Sequence, residues 1–374
     1  MKKRIICLLT LLLALALLAG CGSIAPKEKT LILSERTAEP DSEAEGSSQG
    51  FEVKKITRLS LDKLDPSGIH PDMDEAVIGW MDEDNLVAMS VQTVAIEADP
   101  DAQSEVEQPT ERIQTQFVRI NYQYGFYDPI LTLTEVATEC FDVSADGQLV
   151  ALVAGNTLDV YSFANGQLRS SYTRQVLASR VTFAQSGHEL YFTAAGDVKL
   201  LEKLDVDTGS AEGVLGGKSY RALAASDKAL LLYTQSGGAE QLSYLAGDLV
   251  LEDVLTGGST ASCCILSTGE ALVVYDRTLF LIGPDGAQAV DSGVTAFDIA
   301  SDGMHIAYAR RNEDGTVDIR VGYWGGSRII NDKLVYKDLG IDVSAMYFSP
   351  DMRKLYLQGA DEHGVRAALT FEFQ

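Results

Sequence analysis

A short unit that the chain writes again and again restricts its fold more than any other feature. Its clearest copy is Phe141-Asp-Val-Ser-Ala-Asp146-Gly147-Gln-Leu-Val-Ala-Leu-Val153, an apolar run that meets an Asp-Gly pair and resumes as a second apolar run. This predicts a β-hairpin, because Gly147 can take the positive φ that a tight turn requires. Comparable copies centre on Ser186-Gly187, Asp227-Lys228, Thr268-Gly269, Asp302-Gly303 and Asp351-Met352, with a weaker early one at Asp84-Asn85. They number about seven at a period of roughly forty residues, the spacing of four-stranded propeller blades. A lone hairpin is marginal in water, so the copies must stack to bury their faces.

Copies are followed by a second turn, as at Asn165-Gly166, Asp207-Thr208-Gly209 and Pro284-Asp285-Gly286, so one period holds two hairpins and four strands. Runs such as Ala229-Leu-Leu-Leu-Tyr233 and Ala271-Leu-Val-Val-Tyr275 are apolar at nearly every position, which fits sheets covered on both faces. From Glu75 to the C-terminus the pattern apolar-Ser-x-Asp-Gly, fullest at Phe348-Ser349-Pro350-Asp351, resembles the blade repeat of WD-repeat and TolB-type β-propellers. The resemblance implies an all-β propeller of about seven four-stranded blades, with six or eight as the other counts. Met352 and Lys228 stand where the repeat has glycine, and no copy carries the Gly-His and Trp-Asp pairs of true WD repeats. The last copy supplies three strands, and Phe51 to Leu61 alternates apolar and polar residues at the strand period. The N-terminal segment is therefore expected to add the missing outer strand and close the ring, making 51–374 one propeller domain.

Residues 1–20 read as a secretory signal: Lys2, Lys3 and Arg4 precede an apolar run from Ile5 to Leu18 that is short for a membrane span. It ends in Leu18-Ala19-Gly20-Cys21, which resembles the lipobox of bacterial lipoproteins and implies acylation of Cys21. Two acyl chains suffice for stable anchoring, which places the mature protein on the extracytoplasmic face of a cell membrane. Residues 21–50 carry no apolar period and are rich in Ser, Glu and Gly, so they read as a disordered acidic tether.

The chain has 374 residues and a formal net charge of −24, a field that repels nucleic acid and anionic headgroups. Cys140, Cys263 and Cys264 remain once Cys7 is discarded and Cys21 lipidated, an odd number that argues against a disulfide framework and for buried apolar thiols. His70, His188, His305 and His363 lack partners at metal-ligand spacing, and no metal, hydrolase or phosphate-loop motif is present. No catalytic residue, metal or cofactor is expected.

Four further stretches are candidates. Asp65, Asp72, Asp74 and Glu75 read as a solvated loop in preference to a Ca²⁺ site, because their spacing matches no ligand loop. The acidic interruption 97–111, between second and third strands of the first blade, reads as a disordered spacer in preference to a partner-binding loop. The cluster Tyr122, Tyr124, Phe126 and Tyr127 reads as blade packing in preference to a sugar or protein platform. Arg310-Arg311-Asn-Glu-Asp-Gly315 reads as a solvated hairpin of the sixth blade.

The expectation is thus a membrane-anchored, extracytoplasmic propeller that acts without catalysis as a protein-interaction or ligand-sensing scaffold, with another envelope protein as partner. Its alternatives are a glycan or small-molecule binder that uses the central channel, and a polysaccharide hydrolase or lyase with carboxylates converging from several blades.

Overall fold

The computed structural model describes residues 51–59, 77–95, 111–125, 127–134, 140–154, 157–163, 166–172, 176–194, 200–236 and 239–374. Signal segment, Cys21, tether, the 64–75 loop and residues 97–110 of the acidic interruption lie outside them.

The described residues form seven four-stranded antiparallel sheets, and no helix is found among them. After β1 (Val53–Leu59) the first blade is β2 (Val77–Trp80), β3 (Asn85–Ala95), β4 (Glu111–Asn121) and β5 (Tyr127–Thr134). The second is β6 (Cys140–Val143), β7 (Leu149–Ala154), β8 (Thr157–Ser162) and β9 (Leu168–Tyr172). The third is β10 (Val176–Phe183), β11 (Glu189–Ala194), β12 (Leu200–Asp205) and β13 (Ala211–Gly216). The fourth is β14 (Arg221–Ala225), β15 (Leu230–Ser236), β16 (Ala239–Ala246) and β17 (Leu249–Gly258). The fifth is β18 (Thr260–Ile265), β19 (Ala271–Tyr275), β20 (Thr278–Gly283) and β21 (Gly286–Ser292). The sixth is β22 (Val294–Ile299), β23 (His305–Arg311), β24 (Val317–Trp324) and β25 (Ile329–Leu339). The seventh takes β26 (Asp342–Phe348), β27 (Lys354–Ala360) and β28 (Arg366–Phe373) and completes itself with β1, in the order β1-β28-β27-β26.

The recurrent turn has a physical cause. Buried Ser144 donates its hydroxyl to Asp146 (2.6 Å) and accepts the amide of Leu149 (2.9 Å), while the Asp146 carboxylate accepts the amide of Gln148 (3.0 Å). Ser349 and Asp351 repeat the arrangement, with a 2.6 Å hydroxyl-carboxylate bond and a 2.9 Å bond from the amide of Lys354. Gly147 sits at φ 67 in this turn. In the copy without glycine Met352 takes φ 59, a conformation that costs an L-residue roughly 1–2 kcal/mol. Lys228 avoids that cost: its turn is shorter, closed by Ser226 and Ala229, and stays out of the left-handed region.

Blades pack face to face, so strands such as β19 are buried at every residue, and each fully buried aliphatic side chain contributes about 1.5–3 kcal/mol. One shared core joins Val153 and Val160 of the second blade to Val181 and Phe192 of the third. The ring closes where Leu59, Tyr356 and Ala368 pack on Val77, Leu86 and Tyr122. At that seam Trp80 Nε1 donates to Tyr347 O (2.8 Å) and the buried Lys354 ammonium to Glu83 O (2.7 Å). The N-terminal strand therefore closes the ring, as its alternation predicts.

Candidate functional site

A propeller's first strands line its channel, and six of the seven carry a register shift in their pairing with the second strand. In the fifth, sixth and seventh blades the shift falls at the start of the strand, between Thr260 and Ser262, Val294 and Ala296, and Val343 and Ala345. A bulge leaves one residue outside the ladder and re-aims its side chain. The three residues set free are Ala261, Thr295 and Ser344, and all three line one cavity of about 620 Å³ at the mouth where the first strands begin.

Two features of the second strands complete it. Asp276 and Arg277 form the two-residue turn between β19 and β20, both in the left-handed region (φ 47 and 61) as a type I′ turn demands. The turn is pinned from the preceding blade's end, because Ser259 N donates to Asp276 Oδ1 (3.0 Å) and Asp276 N to Ser259 O (3.1 Å). In the seventh blade Gly359 lets β27 approach the bulged start of β26, since a Cβ there would stand 2.1 Å from Asp342 O. Gln358, buried behind Ser344, and Arg366 at the start of β28 finish the wall.

The lining mixes apolar surface from Ala261, Val274 and Val343 with charged side chains of both signs. Asp342 is held by Arg311, whose Nη1 lies 2.6 Å from Oδ2 across the seam between sixth and seventh blades. The expected hairpin at 310–315 is present, and its Arg311 reaches the channel mouth. Arg277 and Arg366 bring two further guanidinium groups. Thr295 is 9% exposed, and its inaccessible Oγ1 has no hydrogen-bond partner among the described residues. A buried hydroxyl in that condition costs about 1–3 kcal/mol.

Deeper on β22 lies Asp298, whose Oδ2 accepts the amide of Phe348 in the next blade (2.6 Å). Burial pushes its pKa up from 3.8 to about 7, opposed by the amides of Phe348 and Ile299. On the neighbouring β18, burial raises the Cys264 thiol well above its ordinary value, with Cys263 and Asp298 adding to the effect. Cys140, Cys263 and Cys264 form no disulfide among the described residues and sit half-buried against blade cores, less enclosed than the full burial expected of them.

Tyr122, Tyr124 and Tyr127 come together with Thr57, Arg58 and Leu59 around a second cavity of about 240 Å³, while the other candidates stay dispersed. Tyr122 is buried under Trp80 and Lys354, so packing is its role, whereas Tyr124 is 70% exposed and Tyr127 half-buried; Phe126 lies outside the described residues. His188 pairs with Asp207, His305 with Asp302 and His363 with Glu362, each at a separate place, and His70 is outside the described residues. Asp65, Asp72, Asp74, Glu75 and Cys21 are outside them too. Among the described residues no three His, Cys, Asp or Glu side chains gather as a metal site.

No family model matches the chain, and no curated protein matches it. Solved structures do. A chain of the mitotic checkpoint complex is 13% identical with a TM-score of 0.52, over 92% of this chain and 99% of that one. An uncharacterised protein from Listeria monocytogenes EGD-e is 10% identical with a TM-score of 0.51, over 78% of this chain and 92% of its own. An oligogalacturonate lyase from Vibrio parahaemolyticus is 11% identical with a TM-score of 0.48, over 78% and 98% respectively. At such identities the likeness is one of fold, and function has to be argued from the site.

Proposed function

We propose that the chain is a binding propeller, anchored through Cys21 on the extracytoplasmic face of a membrane, that senses a ligand at its channel mouth and performs no reaction on it. One observation carries this reading: the residues that the bulges of three successive blades leave outside the ladder, Ala261, Thr295 and Ser344, all line one cavity that also gathers charged side chains of both signs. Placing single residues from separate blades around a concavity is how a ring of repeats makes a specific site. Against catalysis, the two carboxylates of the lining are committed as acceptors, Asp342 to Arg311 and Asp276 to the Ser259 amide, and no histidine or cysteine joins them. The anchor rests on the basic, apolar and cysteine parts of the first 21 residues, which agree with one another.

A photo-crosslinking residue at Ser344 of the full chain tests the site in intact cells. It should capture a ligand or partner, while the same residue at exposed Leu168, on the fourth strand of the second blade, should not. Equal capture at both positions, or none at 344, overturns the reading. For the anchor, Cys21→Ala should abolish labelling by radioactive palmitate and release the protein from membranes; continued membrane association in the variant would refute lipidation.

A further inference from the structure

Exposed apolar side chains are shared unevenly between the two rims of the ring. Because neighbouring strands are antiparallel, the turns from first to second strand and from third to fourth lie at one rim, and those from second to third at the other. Tyr124 stands in the turn between β4 and β5, and Met304 in the turn before β23. Leu168, Leu249 with Val250, and Ile330 sit in the first two positions of β9, β17 and β25, just past third-to-fourth turns. All of these belong to the first rim. Among the described residues Val365, in the turn before β28, is the one large exposed hydrophobic side chain of the other. Scattered singly, such side chains are ordinary on a protein surface, but a bias this strong toward one rim marks a contact.

The chain enters the ring at the same rim. Val53 opens β1 opposite Phe373, where β28 ends, and the Phe51 ring lies 5.2 Å from His305, the residue after Met304. The segment that leads back to Cys21 therefore starts beside this apolar set.

The set comes from the first, second, fourth and sixth blades, so what touches all of it at once is broad and flat. A bilayer surface has that shape, with apolar depth just below its headgroups. Tyr124 carries a hydroxyl on its ring, and Leu168 and Ile330 have the exposed cations Arg169 and Arg328 close by in sequence, a mixture suited to the headgroup boundary. The turn carboxylates Asp146, Asp302 and Asp351 share the rim but lie nearer the channel, each accepting an amide of its own turn. Every apolar residue of the set except Met304 lies outside them, on the outer hairpins. Those carboxylates make a zwitterionic surface a better match than an anionic one.

Resting on the reading of Cys21 as an acylated anchor, we propose that this rim lies against the bilayer that holds the anchor, its outer apolar side chains set among the headgroups. The contacts are single and separated, too weak to hold the protein from solution, so Cys21→Ala still releases it. The acyl leash raises the local concentration of the rim at the surface, and that populates the contact. A crosslinker at Leu168 then acquires lipid alone, which its mass distinguishes from a ligand captured at Ser344.

The full-length lipidated protein is reconstituted into phosphatidylcholine vesicles that contain a trace of phosphatidylcholine with a photoactivatable acyl chain. After flotation, adducts are located by mass spectrometry. Peptides containing Leu168, Leu249 and Met304 should carry several-fold more lipid than the peptide containing Val365. Leu168→Glu combined with Leu249→Glu should lose that excess at both positions while still floating and melting as the parent does, since both side chains are exposed. Equal labelling of the two rims, heavier labelling at Val365, unchanged labelling in the double variant, or a floating protein that takes up no label overturns the contact and leaves the anchor standing. A parent protein that does not float overturns the anchor and the contact with it.

Discussion

Asp298 and Asp142 each tie two blades together with one carboxylate. Asp142 accepts the amide of Phe183 at 2.7 Å and Asp298 that of Phe348 at 2.6 Å, in both cases from the first strand of one blade to the first strand of the next. The link at Asp298 is made at a cost, because burial raises its pKa to about 7. Its folded value lies above its ordinary 3.8, so the stability it contributes is fully present below pH 4 and is lost as pH rises through 7. Asp298 is half-buried rather than fully enclosed, which keeps the effect on the order of 1–2 kcal/mol. Asp298→Asn retains an oxygen for the Phe348 amide and carries no charge. It should therefore be more stable than the parent at pH 8 and lose that advantage at pH 4, as read from urea unfolding midpoints. An advantage of equal size at both pH values would show that ionisation at this position is irrelevant.

At the level of strands, the seventh blade depends on a segment from the other end of the chain. β1 pairs with β28 from Val53 opposite Phe373 to Leu59 opposite Ala368, and Gln374 N donates to Glu52 O (3.0 Å). Phe51 anchors the start of this strand, its ring 5.1 Å from Phe373, 5.2 Å from His305 and 6.2 Å from Phe348. Removing residues through Lys63 takes away this strand and bares the edge of β28, so the cooperative melt of the parent should be lost in circular dichroism. An unchanged melting transition would refute the closure. That strand was legible in the amino-acid order because alternation and a three-strand final copy are local patterns, as are the Asp-Gly turns that mark the blades. The cavity was not. A bulge adds one residue to a strand without any required residue type, so nothing in Ala261, Thr295 or Ser344 marks them out. Arg311 likewise reads as part of a solvated turn until Asp342, 31 positions later, comes beside it at the blade seam. Of the aromatic cluster only Tyr122 follows the general preference of large rings for burial; Tyr124 stands 70% exposed on the turn after β4 and Tyr127 is half-buried, so blade packing is the wrong expectation for Tyr124.

For the molecule as a whole, the proposed anchor at Cys21 would make the point where the chain enters the ring decide which way the site looks. Phe51 packs beside His305, Phe348 and Phe373, at the rim where first strands end and second strands begin. Ser344, Thr295 and Arg366 lie at the opposite rim, and the eight residues of β28 from Arg366 to Phe373 connect the two. At about 3.3 Å per residue that strand separates the rims by roughly 25 Å. If residues 21–50 behave as the flexible chain their composition predicts, their root-mean-square span is roughly 30 Å, comparable with the ring itself. A ring anchored as proposed at one rim by so short a leash would turn that rim toward the bilayer more often than the other. The channel mouth would then open away from the membrane, on the side where a soluble ligand arrives. Single fluorophores at Arg353→Cys, in the turn beside the tether rim, and at Glu362→Cys, in the turn at the mouth of the same blade, measure this directly. In vesicles carrying a lipid-borne quencher, the lipidated protein should be quenched more strongly at 353 than at 362, and Cys21→Ala should erase the difference. Stronger quenching at 362 would turn the mouth toward the bilayer and make a lipid, rather than a soluble ligand, the molecule it meets.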